Sequence, residues 1–148
     1  MKITGFDISR IEIELKKPFI TSSRRVDSIN DIIIRVHTDS NLVGYGAACA
    51  VTAITGNTNE DVIKDLKETI FPKLLNKEIN ISTCRFLNNL HVESESKACV
   101  DIALYDLLAK ETQQSLHTYL GARTSQLQTD LTISVNEPEL MLKMPKKP

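Results

Sequence analysis

Apolar residues change their period once along this chain, and that change sets the order of layers the fold can have. In residues 6–15, 31–38 and 42–48 they recur at every second position; from 58 to 109 they recur at helical spacing. Strands first and helices afterwards predict an α+β fold, with helices covering one face of an antiparallel sheet.

Three strands are expected. Residues 6–15 alternate with a slip: Phe6 and Ile8 share one face, whereas Ile11, Ile13 and Leu15 continue on the opposite parity, which predicts a bulge near Ser9-Arg10. Residues 31–38 place Ile32, Ile34 and Val36 on one face. Asp39-Ser-Asn41 supplies turn chemistry, with Asn41 suited to a left-handed conformation. Residues 42–48 return with Val43, Tyr45 and Ala47 on one side and Gly44 and Gly46 on the other, where a neighbouring element must approach closely. Lys17 to Asn30 reads as a long polar loop joining the first two strands, and loops of that length tend to be functional.

The helical half begins at Thr58, with Asp61 three residues later as an approximate capping box. Val62, Ile63, Leu66, Ile70 and Leu74 follow helical spacing, and Pro72 marks the last turn. A shorter helix is expected over 83–90. A third starts at Ser96, with Ala98, Cys99, Ile102, Ala103, Tyr105 and Ala109 as its apolar stripe. A short fourth helix at 116–120 ends at Gly121.

At 148 residues, 41% hydrophobic and 25% charged, the composition is that of one globular domain with a tail. The net charge of −1, spread without basic or acidic blocks, argues against nucleic acid or an anionic membrane as partner. No apolar run is long enough to span a bilayer. The N-terminus meets an acid at Asp7 and has no apolar core of a signal peptide, so a cytoplasmic location is expected. Cys49, Cys84 and Cys99 are widely spaced and read as reduced core thiols; no closely spaced ligand pair suggests zinc.

Candidate chemistry is sparse. His37, His91 and His117 are isolated and read as packing or surface residues. Asp101 reads as a packing or hydrogen-bonding acid, and its five-residue spacing from Asp106 does not put both carboxylates on one helix face. Gly44-Tyr-Gly46 within a strand is not a phosphate loop. Lys146-Lys147, between Pro145 and Pro148, reads as a solvated tail. The segment Thr21-Ser-Ser-Arg-Arg25 concentrates three hydroxyls and two guanidinium groups, and arginine can match a carboxylate bidentately. A solvated loop without function accounts for the same composition.

Several stretches together resemble the capping domain of the enolase superfamily in its muconate-lactonizing branch. They are Lys17-Pro-Phe19 with Thr21 and Arg24, the Thr38-Asp-Ser40 to Val43-Gly-Tyr-Gly46 hairpin, Ile54-Thr-Gly56, Ala98 to Leu107, Tyr119-Leu-Gly121, and Thr129-Asp-Leu-Thr-Ile-Ser-Val135. Within that branch the chain is most similar to L-Ala-D/L-Glu dipeptide epimerases. The resemblance implies a capping domain over residues 1–124. Residues 125–148 would then be the start of a truncated (β/α)8 barrel, with 129–135 as its first strand, or a tail.

For the complete protein the resemblance implies epimerisation of a dipeptide such as L-Ala-L-Glu by Mg2+-assisted abstraction of the α-proton, with lysines and acidic metal ligands on barrel strands. None of those groups has a counterpart here, so no catalytic residue, no metal ligand and no cofactor is expected for this chain alone. Two substrate contacts carry over. Arg24 matches the arginine used against the dipeptide carboxylate, a contact worth roughly 1.5–3 kcal/mol. Thr132 matches a first-strand threonine near bound substrate, with an inward-facing barrel polar group as the alternative.

The pattern is broken at Ala47, where the family has a glutamate, and after Met141, where Pro145 and Pro148 should end the following helix by residue 144. A silent capping domain with weak dipeptide binding is the leading expectation. A stand-alone binding or oligomerisation module and one half of a split enzyme are the alternatives. Leu131, Ile133 and Val135 lack barrel neighbours, so residues 129–135 should be disordered, fold back onto the helices, or drive self-association across a dimer.

Overall fold

A computed structural model of the chain describes residues 1–124, 126–130 and 132–142. Three strands, β1 (Ile3–Ile20), β2 (Arg25–Thr38) and β3 (Val43–Ala48), form one sheet in the order β1-β2-β3. The pairing of β2 with β3 is antiparallel, with Ile34 opposite Gly46 and Val36 opposite Gly44. The helical part follows as α1 (Thr52–Thr55), α2 (Asn59–Lys64), a π-helical segment (Asp65–Ile70), α3 (Phe71–Leu74), α4 (Ile81–Asn88), α5 (Ser94–Glu111) and α6 (Leu116–Tyr119); α7 (Pro138–Leu142) lies near the end. The chain divides into two compact units. The first comprises Met1–Ile11 with Asp31–Arg123, the second Glu12–Asn30 with Thr124–Pro148.

In the first unit, Ile32, Ile34, Val36, Gly44 and Gly46 turn to the same buried face, and α5 lies on it. A Cβ at Gly44 would overlap the Ala103 carbonyl oxygen and the Leu107 side chain; one at Gly46 would overlap the Cys99 carbonyl oxygen. The two glycines therefore let the helix backbone rest on the strand backbone. Cys99, Ala103 and Leu107, at four-residue spacing, form the contacting strip. The predicted stripe is shifted accordingly: Ala98 and Ile102 are exposed, and Val100, Leu104 and Leu108 are buried as a second strip. An 18-residue helix with two buried strips has no single apolar line for periodicity to find.

The run from Asn59 to Leu74 carries Val62, Leu66, Ile70 and Leu74 at every fourth position, all fully buried. In an ideal α-helix this spacing drifts by about 40° per step, about 120° across the run. The π-helical segment widens the turn, with the Phe71 N–H bonded to the Leu66 carbonyl five residues back, and keeps the four side chains in line. Thr58 and Asp61 make the full capping box, and Asn41 (φ 61°) and Gly121 (φ 86°) take the left-handed conformations expected of them.

Two expectations are corrected. Lys17–Asn30 is not a loop: all but Thr21–Arg24 belongs to β1 and β2, which extend as a hairpin within the second unit. No residue from 12 to 30 is buried, so nothing imposes the apolar alternation by which a strand is recognised. Pro18 is accommodated because β1 is an edge strand. Cys84 and Cys99 are buried free thiols, but Cys49, just past β3, is exposed rather than in the core.

Residues 129–130 and 132–135 run as irregular chain, with Leu131 outside the described residues. The Val135 N–H donates to the Ile20 carbonyl (2.9 Å), and the Ile20 N–H donates to Ser134 Oγ (3.4 Å). This stretch thus meets the end of β1 within the second unit. The predicted stop near residue 144, Lys146 and Lys147 lie outside the described residues.

Gly46→Ala should cost about 1–3 kcal/mol or more, because the added methyl meets backbone rather than a movable side chain. Urea unfolding measures this directly. An unchanged midpoint would mean that the close approach of α5 contributes nothing.

Candidate functional site

Arg24 ends the four-residue turn between β1 and β2. The Thr21 N–H donates to the Arg24 carbonyl (2.9 Å). The Thr21 hydroxyl oxygen accepts from the Arg24 N–H (3.2 Å) and the Ser23 N–H (3.4 Å), and bonds the Ser23 hydroxyl (3.3 Å). The hydroxyl-rich composition noted in the sequence is therefore used to fold the turn.

Its two arginines differ. Arg25 is held by Asp27, with Nη2 at 2.8 Å from the carboxylate and Nε at 3.0 Å. That arginine keeps the Asp27 carboxyl below the ordinary range through a charge-assisted hydrogen bond. The Arg24 guanidinium has no hydrogen bond or ion pair with any described residue and is half-buried at the turn. Thr132 is exposed and lies two residues before Ser134, in the stretch bonded to Ile20. Both candidate residues thus belong to the second unit.

The first unit holds a polar network that spacing does not reveal. The Asn57 amide donates to Glu93 (2.9 Å) and to both carboxylate oxygens of Glu95 (3.1 and 3.3 Å), partners 36 and 38 residues away. These bonds tie the α1 turn, including the 71% exposed Ile54, to the start of α5. The Thr55 hydroxyl is the main cause that pulls the Glu95 carboxyl down to about 2, with its own backbone, Ser94 and Asn57 adding to it. Asp65 accepts from the Glu93 N–H (2.8 Å) and the Ser96 hydroxyl (2.9 Å), capping α5 from the π-helical segment.

The other candidates have structural roles. His37 bonds Asp7 (2.8 Å), and Arg35 pairs with the same carboxylate (2.9 Å). Asp106 accepts from the Tyr45 N–H (2.9 Å) and from Lys110 (2.6 Å), whose ammonium also donates to the Val43 carbonyl (2.7 Å). Asp101 is half-buried, and desolvation raises its carboxyl. Burial pushes the Cys84 thiol up to about 11 and the Cys99 thiol up to about 12, which makes both poor nucleophiles.

Among the described residues no group of three or more His, Cys, Asp or Glu is placed to hold a metal ion. Asp61, Asp65 and Asp106 are committed to capping and edge contacts. These residues do not fit a magnesium site. No helix of the described residues is long and apolar enough to cross a membrane.

Because the folded Glu95 carboxyl lies below its ordinary 4.5, its contribution to stability is full above about pH 4.5 and fades as pH falls toward about 2. Glu95→Gln should therefore flatten the loss of urea stability between about pH 6 and about pH 3. An identical acid dependence in both proteins would remove Glu95 from the account.

The pattern of the mandelate racemase / muconate lactonizing enzyme N-terminal domain matches residues 5–121. The L-Ala-D/L-Glu epimerase of Clostridium acetobutylicum is 35% identical over 144 residues, covering 95% of this chain and 40% of that protein. The substrate-liganded L-Ala-D/L-Glu epimerase from Bacillus subtilis superposes with a TM-score of 0.90 at 35% identity, covering 95% of this chain and 40% of that one. The dipeptide epimerase from Methylococcus capsulatus, complexed with Mg and the dipeptide L-Arg-D-Lys, gives a TM-score of 0.88 at 28% identity, covering 96% and 41%. The chain thus spans about 40% of the length of these relatives.

Proposed function

This chain belongs to the mandelate racemase / muconate lactonizing enzyme family as its N-terminal domain, and on that premise we propose that it is the capping, substrate-recognising part of a dipeptide epimerase. The reading is carried by Arg24, a cation without a partner among the described residues, held on a turn closed by its own hydroxyls. Such a group suits the carboxylate end of a dipeptide such as L-Ala-L-Glu, and Thr132 adds a hydroxyl from the same unit. Likeness to relatives named as L-Ala-D/L-Glu epimerases supports this choice of substrate.

In the complete protein, α-proton abstraction would use Mg2+, as the Methylococcus capsulatus complex suggests. No step of that chemistry is assigned to the described residues, whose acids do not fit a metal site. The capping part is residues 1–124 in this reading, which takes in the first unit together with Glu12–Asn30 of the second. Residues 125–148 are then the opening stretch of the barrel, and a cytoplasmic location goes with this reading. Self-association through residues 129–135 is part of the same proposal, supported by the exposure of Ile133 and Val135.

Titrating the 148-residue chain with L-Ala-L-Glu, followed through the amide signals of residues 21–25, tests the reading. Binding on the order of millimolar is expected, weakened roughly tenfold or more by Arg24→Ala. Equal binding by both proteins would take Arg24 out of the site. Solvent deuterium entering the dipeptide α-position with Mg2+ and this chain alone would overturn the silent-cap reading. Exchange that requires a separately produced barrel chain would instead favour one half of a split enzyme.

A further inference from the structure

The two edges of the sheet are treated differently. On β3, Asp106 takes the Tyr45 N–H and Lys110 takes the Val43 carbonyl, so side chains from α5 satisfy the outer backbone groups. On β1, the outward groups of Ile3 are satisfied by residues 76–77: its N–H donates to the Lys77 carbonyl and its carbonyl accepts from the Asn76 N–H, both at 3.0 Å. The strand then changes phase: Asp7 shares the face of Arg35 and His37, while Phe6 and Ile8, like Ile3, pack toward the core. The next outward backbone groups are therefore those of Phe6 and Ile8, which have no backbone partner on that side among the described residues.

Beside this open stretch lies a groove of about 510 Å3, within the size range of ligand sites. Phe6 to Arg10 form one wall, and Ile63, Lys67 and Phe71 form the other. The stacked rings of Phe6 and Phe71, 3.9 Å apart, join the two walls. The lining carries three cations, Arg10, Arg35 and Lys67, against one carboxylate, Asp7. Arg10 is paired with Glu60 (2.6 Å) and Arg35 with Asp7 (2.9 Å). Lys67 has no ion pair or hydrogen bond among the described residues. It also sits within the π-helical segment, a feature that recurs at functional sites.

We propose that the open edge of β1 around Gly5–Ser9 and the helical face Ile63–Lys67–Phe71 form a docking groove for an extended acidic peptide, which adds to the sheet as a fourth strand. Backbone hydrogen bonds to Phe6 and Ile8 supply the pairing. Alternate side chains of the added strand fall on the Phe6 and Ile8 face, where apolar residues meet Ile63 and Phe71 and a carboxylate meets Lys67. An exposed edge invites a further strand, and Lys67, the cation of the lining left unpaired among the described residues, selects an acidic one over a basic one. This groove lies wholly in the first unit and is independent of the proposal for Arg24.

The test is a titration of the 148-residue chain with the peptide acetyl-Thr-Glu-Val-Glu-Val-Thr-amide, read through backbone amide signals. Shifts should concentrate at Phe6 and Ile8. Affinity should fall at least about fivefold when lysines replace the glutamates of the peptide, and again for Lys67→Glu in the protein. A peptide with N-methyl groups on alternate residues keeps its charge and should not bind. Circular dichroism shows whether Lys67→Glu stays folded, and the lysine and N-methyl peptides apply the same test to the unaltered chain. Equal binding of the N-methyl peptide would reduce the groove to a general anion site and overturn strand addition. Absence of shifts at Phe6 and Ile8, or their loss to a concentration-dependent dimer that excludes the peptide, would overturn it as well.

Discussion

The backbone contact between α5 and β3 is the constraint on which the first unit rests. Bulky side chains at Ile32, Ile34 and Val36 on β2 stand beside Ala48, Gly46 and Gly44 on β3, so the inner face of the sheet is stepped. The helix settles on the low side of that step, with the carbonyl oxygens of Cys99 and Ala103 over the glycines. Only at that separation do Asp106 and Lys110 reach round to the Tyr45 N–H and the Val43 carbonyl. One geometric fact thus produces both the core packing and the protection of an otherwise open edge.

The start of α5 is fixed by a second set of contacts. Asp65 caps it from the π-helical segment, and Glu93 and Glu95 bind Asn57 after the α1 turn. A single helix is therefore gripped along its length by β3 and at its N-terminus by two other elements. Widening the turn at residues 65–70 keeps Val62, Leu66, Ile70 and Leu74 facing the same core.

Much of this was legible in the residues. The change from period two to helical spacing announces the layer order, and Gly44 and Gly46 announce a close neighbour. The signature of residues 98–107 and the Val43–Gly46 hairpin point to the family. What escaped detection has a common physical cause. The hairpin over residues 12–30 buries no side chain, and the Asn57–Glu95 contact joins groups 38 residues apart. Local periodicity reports burial along one element; it is silent about unburied strands and about polar contacts between elements. Arg24 was visible as a charge in a hydroxyl-rich stretch. Its difference from Arg25, which is committed to Asp27, required the fold.

The central claim is that the capping fold is organised by α5 seated on β3, while the turn that bears Arg24 lies outside that core. Amide hydrogen exchange on the 148-residue chain addresses it most directly. The slowest amides should be those of β3, the adjoining half of β2 and the middle of α5, with residues 21–24 and 126–130 exchanging far faster. Uniform fast exchange across α5 and β3, or protection centred on the Arg24 turn instead, would contradict the account.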